Sequence, residues 1–449
     1  MKAFQVRRGH VFHRKPAGDL PRAVVGRGVF IEDHRGRRYL DASGGAVVVN
    51  LGHGRSEIAA AVERQLRRGS YFHPTMFTTD TVEDLAGRLA AHAPEGIDRF
   101  YFMTTGSEAV ETAIKLARQV HVNAGRTGRY KLISRWRSYH GLSLGALAAT
   151  GRTAFRLPFA PMMQDAVHIP PPYCLRCPFG LVRPECRLRC AQALEEAIEN
   201  EGADTVSAFL AETVGGATAA VLPPPPGYWE LVRRICDRYG VLLIQDEVMS
   251  GMGRTGKWFA SQHYRVCPDI VTLGKGLSGG ALPLSAVGIG ERLYEEVMEG
   301  GGFAHGGTYS HHPVCAAAGL ATVDILEREQ LVERSAAMGR VLGDRLKAHL
   351  DDSPFVADVR GIGMLWGVEL VENRQTLAPF ASSLKVAERL WEHLFSRGVI
   401  LYRSSGFAGG GGDGLVVAPP FTISEAEMDT VAAGLRRAVD QVLGKSAQV

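Results

Sequence analysis

Lys275 stands in "TLGKGLSGG", just past an apolar run and among small residues that leave it uncovered. The run before it, "VLLIQDEV", ends on Asp246 and Glu247. A carboxylate at the end of a buried strand is costly unless it has a partner, so a cation is expected nearby. A third segment, "TTGSEA", sets Thr105, Gly106 and Ser107 at the opening of a helix, where free N–H groups and the helix dipole attract an anion. Taken singly, these are a helix cap and a buried ion pair. Taken together, an anion cradle, a buried carboxylate and an uncovered lysine at strand ends suit pyridoxal phosphate. The lysine would hold the aldehyde as a Schiff base, and the carboxylate would keep the ring nitrogen protonated so that the ring works as an electron sink. The helix start would hold the phosphate. Gly274, Gly276, Gly279 and Gly280 then read as room for the ring and for movement of the lysine.

Such a site needs elements that bring these segments to one edge. Strand candidates are "RFYFMT" (99–104), "KLISRW" (131–136), "SAFLAE" (207–212), "VLLIQDEV" (241–248), "DIVTLG" (269–274) and "PLSAVGIG" (283–290). Several are apolar on both faces and alternate with amphipathic helical stretches. That pattern predicts a buried, mainly parallel sheet flanked by helices, with ligands beyond the carboxyl ends of its strands. Past residue 320 a long helix over "ATVDILEREQLVERSAAMGRVLGDRLKAHL" is expected. Strand-like "VRGIGMLWGVEL", a helix around 384–397 and a last strand "GLVVAPPFTI" follow it. The expected division is 1–60, an N-terminal segment contributing to a small α+β domain; 61–325, a large cofactor-binding α/β domain; and 326–449, the small domain. "PPPPG" (223–227) reads as a stiff connector and "GGGGDG" (409–414) as a mobile loop.

With 449 residues, 51 basic and 47 acidic side chains and a net charge of +4, the chain offers no charged stripe for nucleic acid or membrane. "MKAFQVRRGHVFHRKPAGDL" lacks the apolar core of a secretory signal, and no apolar run approaches a bilayer span, so a cytoplasmic location is expected. Seven cysteines suggest reduced thiols rather than disulfides. Cys174, Cys177, Cys186 and Cys190 in "YCLRCPFGLVRPECRLRC" have spacing that could close a zinc site; the blander and favoured alternative is a surface loop whose cysteines serve as small hydrophobes, and no metal enters the expected site. "GMGRTG" (251–256), followed by Lys257, mimics dinucleotide and P-loop motifs. Trp258 stands where a P-loop needs Ser or Thr, however, and Asp246 and Glu247 precede the loop. A tight connection is the better reading.

"VLLIQDEVMSGMGRTGKWFA", "TLGKGLSGG", "TTGSEA", "SYHG" and "HGGTYSHHP", in that register from about residue 40 to 425, resemble the class-III pyridoxal-phosphate aminotransferases, the ω-transaminase family of fold type I. The resemblance implies Lys275 as Schiff-base lysine and proton shuttle and Asp246 as partner of the pyridine nitrogen. Val248 and Tyr139 would pack on opposite ring faces, with His140 and Gly141 beside the ring. Gly106 and Ser107 would form the phosphate cup and Glu212 would lie beneath the cofactor. Thr308 would reach the phosphate from a second subunit, which implies a homodimer with shared active sites. The implied reaction is ping-pong transfer of an amino group from an amine or amino acid to a keto acid or aldehyde. An aminomutase or racemase would use the same lysine.

Substrate choice is less legible. The last strand lacks the carboxylate-clamping arginine of many members. Arg403 in "GVILYRSSGF" resembles the mobile arginine of ω-transaminases that pairs with a keto acid and swings out for apolar amines. Its alternative is a solvated loop residue. Val110, Thr213 and Val47 depart from residues common in the family, and Tyr71 and Phe72 are expected to line the substrate pocket.

Overall fold

The computed structural model describes residues 10–14, 20–408 and 411–444. Its centre is a seven-stranded sheet in the order Arg99–Met103, Ser285–Ile289, Ile270–Leu273, Leu242–Asp246, Val206–Glu212, Lys131–Arg135, Val167–Ile169. The last five strands of that order pair in parallel, whereas Ser285–Ile289 runs antiparallel to both its neighbours. Every residue of Val206–Glu212, Leu242–Asp246 and Ile270–Leu273 is buried, which explains their unbroken apolar texture. Successive side chains go to opposite faces. Leu210 and Ile244 pack with the helix Gly106–Asn123, while Phe209 and Leu243 pack with the helices Arg189–Glu201 and Tyr228–Tyr239. The protein is thus α/β, with helices on both faces of a mainly parallel sheet.

A separate small domain holds an antiparallel sheet ordered Val356–Ile362, Leu365–Leu370, Gly411–Val417, Tyr402–Ala408. The helices Leu331–Leu350, Val386–Phe395 and Glu425–Leu443 share its apolar core. Near the start of the chain the strands Ala23–Arg27, Phe30–Asp33 and Arg38–Asp41 form an antiparallel meander. The last of these pairs in parallel with Val399–Ile400, Leu40 facing Val399.

Three expectations need correction. The long helix after residue 320 is two helices, Pro313–Arg328 and Leu331–Leu350, because Gln330 turns left-handed (φ 50°) between them. "VRGIGMLWGVEL" contains a hairpin turn at Gly363 (φ 56°) rather than one strand. Of the "GGGGDG" stretch, Gly409 and Gly410 lie outside the described residues, and the rest belongs to the strand Gly411–Val417 instead of a loop. No described helix is long and apolar enough to cross a membrane.

Candidate active site

The carboxyl ends of the parallel strands converge as the sequence predicts. Asp246 closes its strand opposite Thr272 on the next, and Lys275 begins the turn that follows. The Asp246 carboxylate is 5% exposed and takes three hydrogen bonds. Val248 N–H and Thr272 Oγ1 each donate to Oδ1 at 3.0 Å, and His140 Nδ1 donates to Oδ2 at 2.7 Å. A carboxylate has about four acceptor positions, so one remains for a donor that the described residues do not supply. His140 is itself fixed by its N–H to Thr150 Oγ1 (2.9 Å), and its Nε2 is buried without a partner.

Lys275 has left-handed backbone (φ 43°), unusual for a residue with a side chain and a mark of a position held by its surroundings. Desolvation pulls its ammonium down to about 8; Asp246 and Glu212 oppose that shift and Arg254 reinforces it. Glu212, at the end of its own strand, receives the Gly216 N–H at 3.0 Å, and burial raises its carboxyl above the ordinary range.

Val248 ties the lysine turn to the anion cradle. A Cβ on Gly106 would meet Val248 Cγ1 at 2.9 Å, and one on Gly274 would meet the same atom at 3.2 Å. Thr105 and Glu108 complete a capping box, so the cap reading of "TTGSEA" holds for Thr105. Glu108 satisfies the Thr104 and Thr105 amides, and among the described residues the amides of Gly106 and Ser107 have no protein acceptor. They are free for an anion. Gly141 (φ 134°) sits against Ser107, since a Cβ there would lie 2.4 Å from Ser107 Oγ. Tyr139 is half-buried, its ring edge-on to Phe155 at 6.1 Å.

The other glycines around Lys275 act differently from expectation. Cβ atoms at Gly276, Gly279 and Gly280 would meet Asn50, Leu51 and Val48, so these glycines let the turn pack on residues 48–51 rather than open space for a ring. Asn50 Nδ2 reinforces that contact by donating to Gly276 O at 3.1 Å. "GMGRTG" is a tight connection as read: Gly253 and Gly256 have φ 82° and 87°, and a Cβ on Gly256 would strike Ala336.

Four predicted residues stand apart from this cluster. Thr308 is exposed in the turn before Pro313–Arg328, and its neighbour Tyr309 faces Tyr71 ring to ring at 6.3 Å. Tyr71 and Phe72 are exposed with Met76, Phe77 and Tyr309, and so belong to a surface rather than to a lining around Lys275 within one chain. Arg403 pairs with Glu388 at 3.1 Å and lies 5.0 Å over the Trp391 ring. Thr272, Arg254 and Arg152 were missed. Thr272 could have been noticed as the one hydroxyl in an aliphatic strand. Arg254 is 2% exposed and donates to the carbonyls of Met364 (3.1 Å), Pro419 (2.6 Å) and Val49 (3.4 Å), contacts that no local signal announces. Arg152 lies 4.6 Å over the Phe155 ring, which Arg14 also approaches at 5.5 Å, and donates to Ser405 at 3.3 Å.

The aminotransferase class-III family model matches residues 18–439. The chain belongs to the class-III aminotransferases and catalyses amino-group transfer. It is 41% identical to a probable aminotransferase of Mycobacterium tuberculosis, over 95% of this chain and 91% of that protein. With the diaminobutyrate–2-oxoglutarate transaminase of Halomonas elongata it shares 38% identity over 95% of this chain and 92% of that one. The crystal structure of an (S)-enantioselective ω-transaminase from Thermomicrobium roseum superposes with a TM-score of 0.88 at 40% identity, covering 94% and 93% of the two chains.

Proposed function

We propose that the site takes pyridoxal phosphate on Lys275 and exchanges an amino group between an amine or amino acid and a keto acid, in two half-reactions. The observation that carries this reading is the placement of Asp246, Lys275 and the free amides of Gly106 and Ser107 around Val248. The residues fit the group: two orphan amide donors suit its phosphate, and the unused acceptor position on Asp246 suits a protonated ring nitrogen. When bound, the cofactor supplies an aldehyde that accepts amines and a ring that takes up the electron pair left by a departing proton. Val248 and Tyr139 would confine the ring between them, and Glu212 would lie beside it.

Lys275 moves the proton. With its pKa near 8 a usable fraction of the neutral amine exists close to neutrality, so Nζ can act as base in one half-reaction and return the proton in the other. His140, Thr272 and Val248 all donate to Asp246 and so fix the orientation of the carboxylate that would face the ring nitrogen.

The rim supports a reading of acceptor and assembly. Arg14 and Arg152 flank Phe155 on the Tyr139 side, giving this end of the site positive charge for a keto acid carboxylate. Arg403, parked on Glu388, would leave that pair to bind the same carboxylate. The exposed Tyr71, Phe72, Met76, Phe77 and Tyr309 form an apolar face suited to a second copy, which would bring Thr308 to the neighbour's phosphate. A keto acid such as the 2-oxoglutarate named for the Halomonas relative is the acceptor to try first. Borohydride treatment of the holoenzyme should fix the cofactor on Lys275, read by peptide mass. Lys275→Ala should lose that label and slow transfer about 10³-fold or more. A label on another residue would overturn the assignment.

A further inference from the structure

The turn Lys275–Ser278 is short and strained. Leu277 N–H closes on Gly274 O at 2.9 Å and Gly279 N–H on Gly276 O at 3.1 Å, with Lys275 left-handed (φ 43°) between them. A side chain disfavours that backbone region, and two local bonds leave the turn free to relax out of it. Something outside the turn must hold it.

Asn50 is the residue placed to do so. It is 1% exposed, and its Nδ2 donates to Gly276 O at 3.1 Å and to Met252 O at 3.3 Å. Met252, in the connection that leaves Asp246, is left-handed as well (φ 53°), so one amide serves two strained positions. Its orientation follows from chemistry: turned over, it would set its oxygen against two carbonyls. As placed, Oδ1 is buried without a partner among the described residues, a cost that a residue present only to fill space would avoid. Asn50 is itself anchored. Its carbonyl accepts Phe421 N–H at 2.8 Å, and the Val49 carbonyl before it accepts Arg254 Nη2 at 3.4 Å. Gly276 completes the fit, because a Cβ there would lie 2.8 Å from Asn50 Nδ2 and only in ordinary contact, 3.4 Å, with Met252 Cβ. Its missing side chain admits the amide.

We propose that Asn50 is a positioning residue for Lys275, which it serves by tying Gly276 O to the connection at Met252 and so fixing where Nζ stands; this rests on Lys275 being the cofactor lysine. Asn50 touches neither cofactor nor substrate in this role. Without its amide the turn would relax and water would reach Nζ. The desolvation that depresses the lysine would then weaken, while Asp246, Glu212 and Arg254, the charged groups acting on it, keep their places.

The test uses the full chain with Asn50→Ala, Gly276→Ala and both together. In the apoproteins, hydrogen exchange read by mass spectrometry should rise about tenfold over residues 274–280 in each single variant, with Leu242–Asp246 still protected. The pH midpoint of pyridoxal phosphate capture should move up by about one pH unit in both. Simple loss of stability would lower the fraction of protein that captures cofactor and leave the midpoint in place. The double variant separates the cases further. The new methyl of Gly276→Ala acts by displacing the Asn50 amide, so it has nothing to displace once Asn50 is alanine, and the double should match Asn50→Ala within about twofold. Additive effects, unchanged exchange, or a midpoint that stays or falls would each overturn the assignment. Should Asn50→Ala fail to fold, Gly276→Ala carries the exchange and midpoint measurements by itself. A wild-type protein without a borohydride label on Lys275 would instead strike the cofactor reading, and exchange in the apoproteins would still decide the role of Asn50 in the turn.

Discussion

Gly106 faces Val248 so closely that an added Cβ would sit 2.9 Å from Cγ1 of the valine. The start of the anion-binding helix and the residue that packs on the ring thus share one contact. Gly106→Ala should push them apart and weaken cofactor retention about tenfold, in line with an overpacking cost of about 1–3 kcal/mol. Equilibrium dialysis of the cofactor checks it; unchanged retention would remove Gly106 from the cradle.

The depressed pKa of Lys275 sets a pH dependence with a definite sign. Its folded value, about 8, lies below the ordinary lysine range, so the apoprotein binds fewer protons than the unfolded chain above pH 8. Capture of pyridoxal phosphate by the apoenzyme should accelerate as pH rises, with a midpoint near 8. Asp246 stabilises the ammonium, so Asp246→Asn should move that midpoint down. Stopped-flow absorbance reads both, and a midpoint that moves up in the variant would contradict the placement of the two groups.

Arg254 ties Val49, Met364 and Pro419, from three separate parts of the chain, to the connection that leaves the active site. Arg254→Met should strand their carbonyls and cost about 3 kcal/mol or more. Arg254→Lys should rescue little of it, because an ammonium lacks the planar fork. Denaturant midpoints of the three proteins decide.

For Arg403 the expected signature is a split between substrates. Arg403→Ala should raise KM for a keto acid about tenfold and leave an uncharged amine nearly unaffected. Glu388→Ala, which frees the arginine from a half-exposed pair, should change the keto acid KM by no more than about fivefold. Equal losses for both substrates in Arg403→Ala would refute the clamp.

Hybrid dimers test the reach of Thr308. If it serves the partner's site, pairing a Lys275→Ala chain with a Thr308→Ala chain leaves one site doubly damaged and the other intact, with about half the wild-type rate. If it serves its own site, every site in the hybrid carries a defect. Cofactor titration of the hybrid separates the two outcomes.

The sheet was legible because buried parallel strands write themselves as continuous apolar runs, and the residues at their ends could be ranked by the cost of burying a charge. Asp246 was singled out this way, Lys275 by the small residues that leave it uncovered, and Gly106 by the helix start it opens. Arg254 was not, because its partners are backbone carbonyls 110, 165 and 205 positions away, and carbonyls carry no side-chain signal. The break at Gln330 was missed for a different reason: apolar spacing runs on through it, and only a backbone dihedral divides the helices. The pairing of Arg403 with Glu388 depends on the neighbouring helix Val386–Phe395, beyond the reach of a strand-local reading.

The parallel pairing of Leu40 with Val399 makes the order of synthesis matter. Arg38–Asp41 has this neighbour almost 360 residues downstream, so it must wait, unpaired along that edge, until Val399–Ile400 has emerged from the ribosome. A truncated product of this protein would therefore fail at its beginning as well as at its end.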